Sequence, residues 1–253
     1  MPFVVAGGHR LEYAWHGSAQ GNAPPIVMLH EGLGSLAMWR DFPQRLSEAT
    51  RRRTLAYSRV GYGASDPVDG PRGVDFMHIE ALDTLPQLLD TLTIDRPVLF
   101  GHSDGGSIAL IHAARARRPV SAVIAMAPHV LVEPYGLDSI AEAKRAYLDG
   151  DWRAKLARHH ADVESAFWGW NDIWLNPAFA SWNIEALLPD IACPVLAIQG
   201  VDDEYGTMEQ IDRIEHGVRD FHRLEVEHCG HSPQRDQPEA VLAAVAAFLA
   251  ERS

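Results

Sequence analysis

The chain has 253 residues, 47% of them hydrophobic and 22% charged, a composition that suits one globular domain with a sizeable core. Its formal net charge of -12 repels phosphate backbones and anionic lipid, so neither nucleic acid nor a membrane is an expected partner. Two cysteines, Cys193 and Cys229, exclude a disulfide framework, and with no signal peptide and no apolar run of about 20 residues a cytoplasmic protein is expected.

In chain order, short apolar runs alternate with longer segments of helical spacing. Val27 to Leu29 reads as a strand ending at His30, and Trp39 to Ala49 as a helix. Leu55 to Ser58 is a second run that stops at the glycine-rich VGYGASDP, whose Gly61 and Gly63 read as a structural turn without chemistry. Ile79 to Leu92 has helical spacing, with Pro86 as a point of kinking. Val98 to Phe100 predicts a third strand, followed by a helix from Gly105 to Arg117. Val120 to Met126, Pro194 to Ile198 and Phe221 to Glu227 complete the strands, and Pro238 to Ala250 is the closing helix. This alternation predicts an α/β fold, a mostly parallel central sheet flanked by helices. From residue 128 to 189 the rhythm breaks: the segment is helix-like and rich in aromatics (FWGWNDIWLNPAFASWNIE). It is too long for a simple crossover and reads as a helical cap inserted into a core formed by 1–127 and 190–253.

The stretch LFGHSDGGSI places Ser103 between glycines, after a strand and before a helix. Small-x-Ser-x-small in that setting is a nucleophile elbow, where Gly101, Gly105 and Gly106 allow close approach of neighbouring backbone. A serine hydroxyl is a weak nucleophile near neutral pH and needs a base, which in turn needs an orienting acid. Asp203 in IQGVDDEYG and His231 in HCGHSP each follow a core strand, in the order Ser, Asp, His. Asp202 is the competing acid, although adjacent residues at a strand end point different ways. His102 precedes the serine and is expected to face away from substrate. His30 reads as a structural hydrogen-bonder, and the Asp104 carboxylate as a cap on the helix that starts there. Adjacent histidines diverge on a helix, so His159 and His160 with Asp162 do not predict a metal site.

With the pieces LHEGLGSLAMW, YSRVGYGASD, GHSDGG, PVLAIQGVDDE and CGHSP in this order, the chain resembles the α/β-hydrolase fold family over nearly its whole length. The resemblance implies Ser103 as nucleophile, His231 as base and Asp203 as acid, with no cofactor and no metal. It implies oxyanion-hole N–H groups from Asp104 and from Gly32 in the loop after Leu29. That loop departs from the family pattern, since Glu31 replaces the usual glycine after the histidine; its carboxylate is a candidate substrate-reading group. His129 follows the fourth strand and could either touch substrate or satisfy a loop. Trp168, Trp170 and Trp174 either line a pocket beneath the cap or pack it onto the core.

The expected activity is cleavage of a small, largely apolar carboxylic ester or lactone through an acyl-enzyme, by a monomer or homodimer. Serine at the elbow argues against the dehalogenase and epoxide-hydrolase branches, which use aspartate there. A carbon–carbon hydrolase of ring-cleavage diketones is the alternative, although such relatives often carry Asn where this chain has His102. Cofactor-free perhydrolase chemistry uses the same residues, and a non-catalytic ligand receptor would need no nucleophile.

Overall fold

A computed structural model describes residues 1–18 and 22–251; the core span expected to reach 253 thus runs two residues past its end. The strands are β1 (Phe3–Ala6), β2 (His9–His16), β3 (Ile26–Leu29), β4 (Thr54–Tyr57), β5 (Val98–His102), β6 (Ala122–Met126), β7 (Val195–Gly200) and β8 (Phe221–Val226). They form one sheet in the order β1-β2-β4-β3-β5-β6-β7-β8. From β4 to β8 every pairing is parallel, whereas β1 with β2 and β2 with β4 are antiparallel.

The first two strands are absent from the sequence reading. Their signal was present, since VVA and HRLEYAW flank Gly7-Gly8, and both glycines take positive φ (61° and 81°) as a two-residue hairpin turn requires. The remaining strands fall within a few residues of the expected runs. Two helical segments differ from expectation. The stretch expected to run from Trp39 is a 3-10 turn, Leu36–Trp39, followed by α1 (Phe42–Thr50) with Pro43 in its first turn. The segment around Pro86 is α2 (Phe76–Ile79), a π turn (Glu80–Thr84) and α3 (Leu85–Thr91). The residues joining these pieces are all right-handed helical, so the segment runs on through Pro86, which stands just after the π turn.

Helix α4 (Asp104–Arg115) follows β5, and α8 (Glu209–Gly217), α9 (Pro233–Asp236) and α10 (Pro238–Ala250) complete the core. Strands β3 to β7 are buried on both faces, which is why their sequences are continuous apolar runs and do not alternate. One face, with Ile26, Met28, Val98, Phe100 and Ile124, packs on Phe42 and Leu46 of α1 and on Val241, Val245 and Phe248 of α10. The other, with Val27, Leu29, Leu99 and Val123, packs on Leu88 of α3 and on Ile108 and Ile111 of α4. Each such side chain, fully buried, contributes roughly 1.5–3 kcal/mol.

Between β6 and β7 the chain forms α5 (Pro134–Asp149), α6 (Trp152–Leu156), α7 (Val163–Trp174) and two short 3-10 turns. Its helix α7 packs on the residues that follow β3 and β5, with Trp170 against Gly32 and Trp174 on Asp104. After β3 the chain crosses to β4 on one side and then to β5 on the other, so the strand order reverses beside β3. In parallel sheets a crevice opens at such a reversal. Here the Glu31-Gly32 loop leaves β3 and Ser103 leaves β5 at that point.

Candidate active site

Ser103 takes φ 52° and ψ -120°, a conformation that costs a non-glycine residue about 1–3 kcal/mol. The bend persists because its surroundings fix it. The Ser103 N–H donates to the Met126 carbonyl at 2.9 Å, and its own carbonyl accepts from Gly106 and Ser107 at the start of α4. A Cβ at Gly101 would overlap the Gly105 carbonyl, and one at Gly105 would overlap the Leu29 carbonyl, so strand, elbow and helix can approach this closely only without side chains there.

The bend brings Ser103 Oγ within 2.9 Å of His231 Nε2. His231 Nδ1 lies 2.9 Å from both carboxylate oxygens of Asp203. Asp203 accepts further hydrogen bonds from the Tyr205 N–H at 2.8 Å and from Gln199 Nε2 at 2.7 Å. Burial opposes ionisation of Asp203, but the adjacent His231 and these N–H donors outweigh it and hold its carboxyl below the usual range. Burial would likewise lower His231, yet the Asp203 carboxylate outweighs it and raises the imidazole above its ordinary value. Asp202 is exposed at the surface, and its N–H is taken by the Cys229 carbonyl. Geometry therefore separates the two acids of GVDD.

The backbone N–H groups of Gly32 and Asp104 make no hydrogen bond among the described residues. Asp104 opens the 12-residue α4, whose N-terminal end carries partial positive charge. Its carboxylate is not the helix cap expected from sequence. Oδ1 accepts from Trp174 Nε1 at 3.2 Å and Oδ2 lies 3.5 Å from Arg59 Nη2, so the side chain turns away from the helix N–H groups toward a buried cation.

Arg59 is the residue that sequence reasoning missed. It belongs to the RVGYGAS turn to which no chemistry was assigned, and its side chain is fully buried. Arg59 Nη2 donates to the Glu31 carbonyl at 3.0 Å, and the Arg59 N–H donates to His30 Nε2 at 2.9 Å. His30 Nε2 is thus an acceptor, so its proton sits on Nδ1, which donates to the same Glu31 carbonyl at 2.6 Å. Burial, chiefly, lowers His30 well below its usual value and agrees with this neutral form. His30 is structural, as its position suggests, and with Arg59 it fixes the loop that presents Gly32.

Glu31 sends its carboxylate to His102 Nδ1, 3.3 Å away. Burial would raise Glu31, but His102 and its other neighbours hold it at about 2. A cavity of about 240 Å³ adjoins this group, lined by Glu31, Trp39, His159, Ser232 and Gln234 among others. Neither ring nitrogen of His102 bonds Ser103: Nδ1 meets Glu31 and Gln234, and Nε2 donates to the His231 carbonyl at 2.6 Å.

The aromatic residues of α7 divide by face. Trp170 presses on Gly32, where any Cβ would overlap its indole, and Trp174 reaches Asp104 and packs edge-on to His129 at 4.9 Å. They lie four residues apart and share one side of the helix. Trp168, expected beside them, instead bonds Glu164 through Nε1 and lies under the Lys144 ammonium. Two residues before Trp170, it occupies a different face. His129 is buried 5.9 Å from the His231 ring, and burial drives it down to about 3, so it is neutral there. His160 is a strap: Nδ1 accepts from the Gly63 N–H and Nε2 donates to the Leu33 carbonyl, each at 3.0 Å, which ties the helical segment to the loop after β3.

Among the described residues no cluster of three or more His, Cys, Asp or Glu could hold a metal ion, and no helix is long and apolar enough to cross a membrane.

RutD of Stutzerimonas stutzeri, whose name assigns it to carbamate hydrolysis, is 31% identical over 217 residues, covering 76% of this chain and 79% of that protein. A 2-hydroxy-6-oxo-2,4-heptadienoate hydrolase of Pseudomonas putida is 31% identical over 124 residues, 49% of this chain and 42% of that one. Among solved structures, an enol-lactonase from Burkholderia xenovorans superposes with a TM-score of 0.77 at 23% identity, covering 98% of this chain and all of that one. A carboxylesterase structure from Nitrososphaera gargenis gives 0.79 at 21% identity, covering 99% and 98%. The model of the alpha/beta hydrolase family matches residues 26–244, and the chain belongs to that family of hydrolases.

Proposed function

We propose that this protein is a serine hydrolase that cleaves a small, largely apolar carboxylic ester or lactone through an acyl-enzyme. One observation carries the reading: an unbroken chain from Ser103 Oγ through His231 to a buried, multiply hydrogen-bonded Asp203, with the unpaired N–H groups of Gly32 and Asp104 beside it.

In the acylation step Ser103 Oγ forms a bond to the substrate carbonyl carbon while His231 Nε2 takes the hydroxyl proton. The carbonyl oxygen becomes an alkoxide that accepts from the two free N–H groups; each such donor is worth about 3 kcal/mol in the transition state. Collapse breaks the carbon–oxygen bond to the leaving alkoxide, which receives the proton from His231. Water then repeats the attack on the acyl group with His231 again as base, releasing the acid and restoring the serine. Asp203 holds the imidazole in the tautomer that accepts at Nε2 and stabilises the imidazolium in both steps. Trp170 and Trp174 supply an apolar, aromatic wall on the side of the oxyanion loop.

Carbamate cleavage is the second reading, favoured by the 31% identity to RutD, and it needs the same attack and the same oxyanion donors. A screen of p-nitrophenyl esters of increasing chain length, simple lactones, aryl carbamates and ring-cleavage diketones separates the readings. We expect turnover of short esters or lactones that disappears in Ser103→Ala. Wild-type rates in that variant would end the proposal, and exclusive turnover of carbamates or of diketones would replace the substrate class. Absence of any fluorophosphonate adduct on Ser103 would favour a ligand receptor on this fold.

A further inference from the structure

Glu31, in the loop after β3, lies one side chain away from His231. We propose that Glu31 is a positioning residue for His231: through His102 it holds the backbone of the loop that carries the base, and its carboxylate adds a second negative charge beside the imidazole. The inference rests on the serine-hydrolase reading of Ser103 and His231.

The path is short and runs through one side chain to the backbone of His231. Glu31 Oε2 lies 3.3 Å from His102 Nδ1, and His102 Nε2 donates to the His231 carbonyl at 2.6 Å. The His102 and His231 rings lie 5.2 Å apart. A carbonyl can only accept, so His102 Nε2 carries a proton for His231, and the ring sits with the Glu31 carboxylate and the Gln234 amide both at Nδ1. Glu31 is itself anchored from behind, since its carbonyl accepts from both Arg59 and His30. Gln234 also reaches His102 Nδ1, at 3.3 Å, from the loop that carries His231. The loop after β8 is thereby tied to the nucleophile elbow on the side away from Ser103.

A fixed anion here lowers the energy of the imidazolium, the form His231 takes in every proton transfer. The neighbours of His231 fit that sign: Asp203, then Glu204 and Glu31, favour its charged form against the burial that opposes it. Glu204 Oε2 accepts from the His231 N–H at 3.1 Å. His102, His129 and Tyr205 complete the titratable groups facing the ring, the last with its ring centroid 4.8 Å away. On the cavity side Glu31 shares its surroundings with Arg40, Asp41, Arg45, His159 and Arg235. Glu31 is joined to the His231 backbone through His102, and a glycine in its place would leave His102 Nδ1 to Gln234.

The test is the rate of Ser103 capture by a fluorophosphonate as a function of pH, for wild type and Glu31→Gln, with Ser103→Ala as the blank. Glutamine keeps the shape and a hydrogen bond to His102 and removes only the charge. We expect the acidic limb of the profile to move to lower pH by about half a unit and the plateau rate to fall by about three- to tenfold. If Glu31→Gln folds poorly by its melting curve, Glu31→Gly removes the same charge and must move the limb in the same direction. A limb within about 0.1 unit of wild type in a folded variant, with an unchanged plateau, overturns the proposal. Capture that persists in Ser103→Ala overturns the serine-hydrolase reading itself, whatever Glu31 does.

Discussion

Replacing Arg59 by methionine is the most demanding perturbation the structure suggests. The side chain is fully buried and the Asp104 carboxylate opposite it is 1% exposed, so the variant leaves an acidic group in the interior with Trp174 Nε1 as its remaining donor. Removing one partner of a buried ion pair typically costs about 3–5 kcal/mol. The 3.5 Å separation argues for the lower end. So does Asp104 itself: burial, the largest influence, already raises its carboxyl above the usual range despite Arg59, and the variant can take up a proton there. A loss near 3 kcal/mol corresponds to a fall in Tm of about 6–12 °C for a domain of this size. The sign of the pH effect follows. An acid whose folded pKa is raised costs stability as pH rises through the interval between its unfolded and folded values, and loss of Arg59 widens that interval. The gap between variant and wild type therefore grows from pH 5 to pH 8. The Glu31 carbonyl also loses its 3.0 Å donor, so ester turnover falls by about tenfold beyond any loss of folded protein. Calorimetry at the two pH values, paired with kcat/KM on a p-nitrophenyl ester at a temperature where both proteins are folded, reads both effects. A melting point within about 2 °C of wild type at pH 8 would refute the reasoning.

Three further predictions follow from the same geometry. Asp203→Asn lowers kcat by about 10⁴, because the amide favours the wrong imidazole tautomer, whereas exposed Asp202→Asn stays within about twofold of wild type; comparable losses in both would reject the assignment of the acid. The acidic limb of kcat/KM lies above pH 6.5, since the Asp203 carboxylate raises His231 against its burial, and in Asp203→Asn it moves to lower pH; a limb below 6 in wild type contradicts this. Ser103→Gly melts higher than Ser103→Ala by an amount equivalent to about 1 kcal/mol, because glycine tolerates φ 52° and alanine retains the strained Cβ; equal melting points would argue that the elbow is unstrained.

Much of this was legible in residues that serve local geometry. The elbow glycines, the order of serine, acid and histidine, and the apolar strands all follow from short-range rules, and the strand ends then converge by the topology of a parallel sheet. The N-terminal hairpin was legible too, in VVAGGHRLEYAW, but it joins the sheet only where β2 pairs with Tyr57 and its neighbours in β4. Arg59 could not be read locally: its motif gives a turn, and only the approach of Asp104, the Glu31 carbonyl and the Tyr62 ring makes an arginine with no exposed side-chain surface. Trp168 shows the opposite failure, where composition suggested a cluster and the helical period separates it from Trp170 and Trp174. The Asp104 carboxylate was expected as a cap because it stands at a helix start; a buried cation within reach outweighs a cap worth about 1 kcal/mol.

The central claim is that Ser103 is a nucleophile activated by His231 and Asp203, and mass analysis of the fluorophosphonate-treated protein tests it most directly. The account predicts one adduct, on the peptide carrying Ser103, lost in Ser103→Ala and formed at least about 100-fold more slowly in His231→Ala. An adduct elsewhere, or labelling of Ser103 that is indifferent to His231, would contradict it.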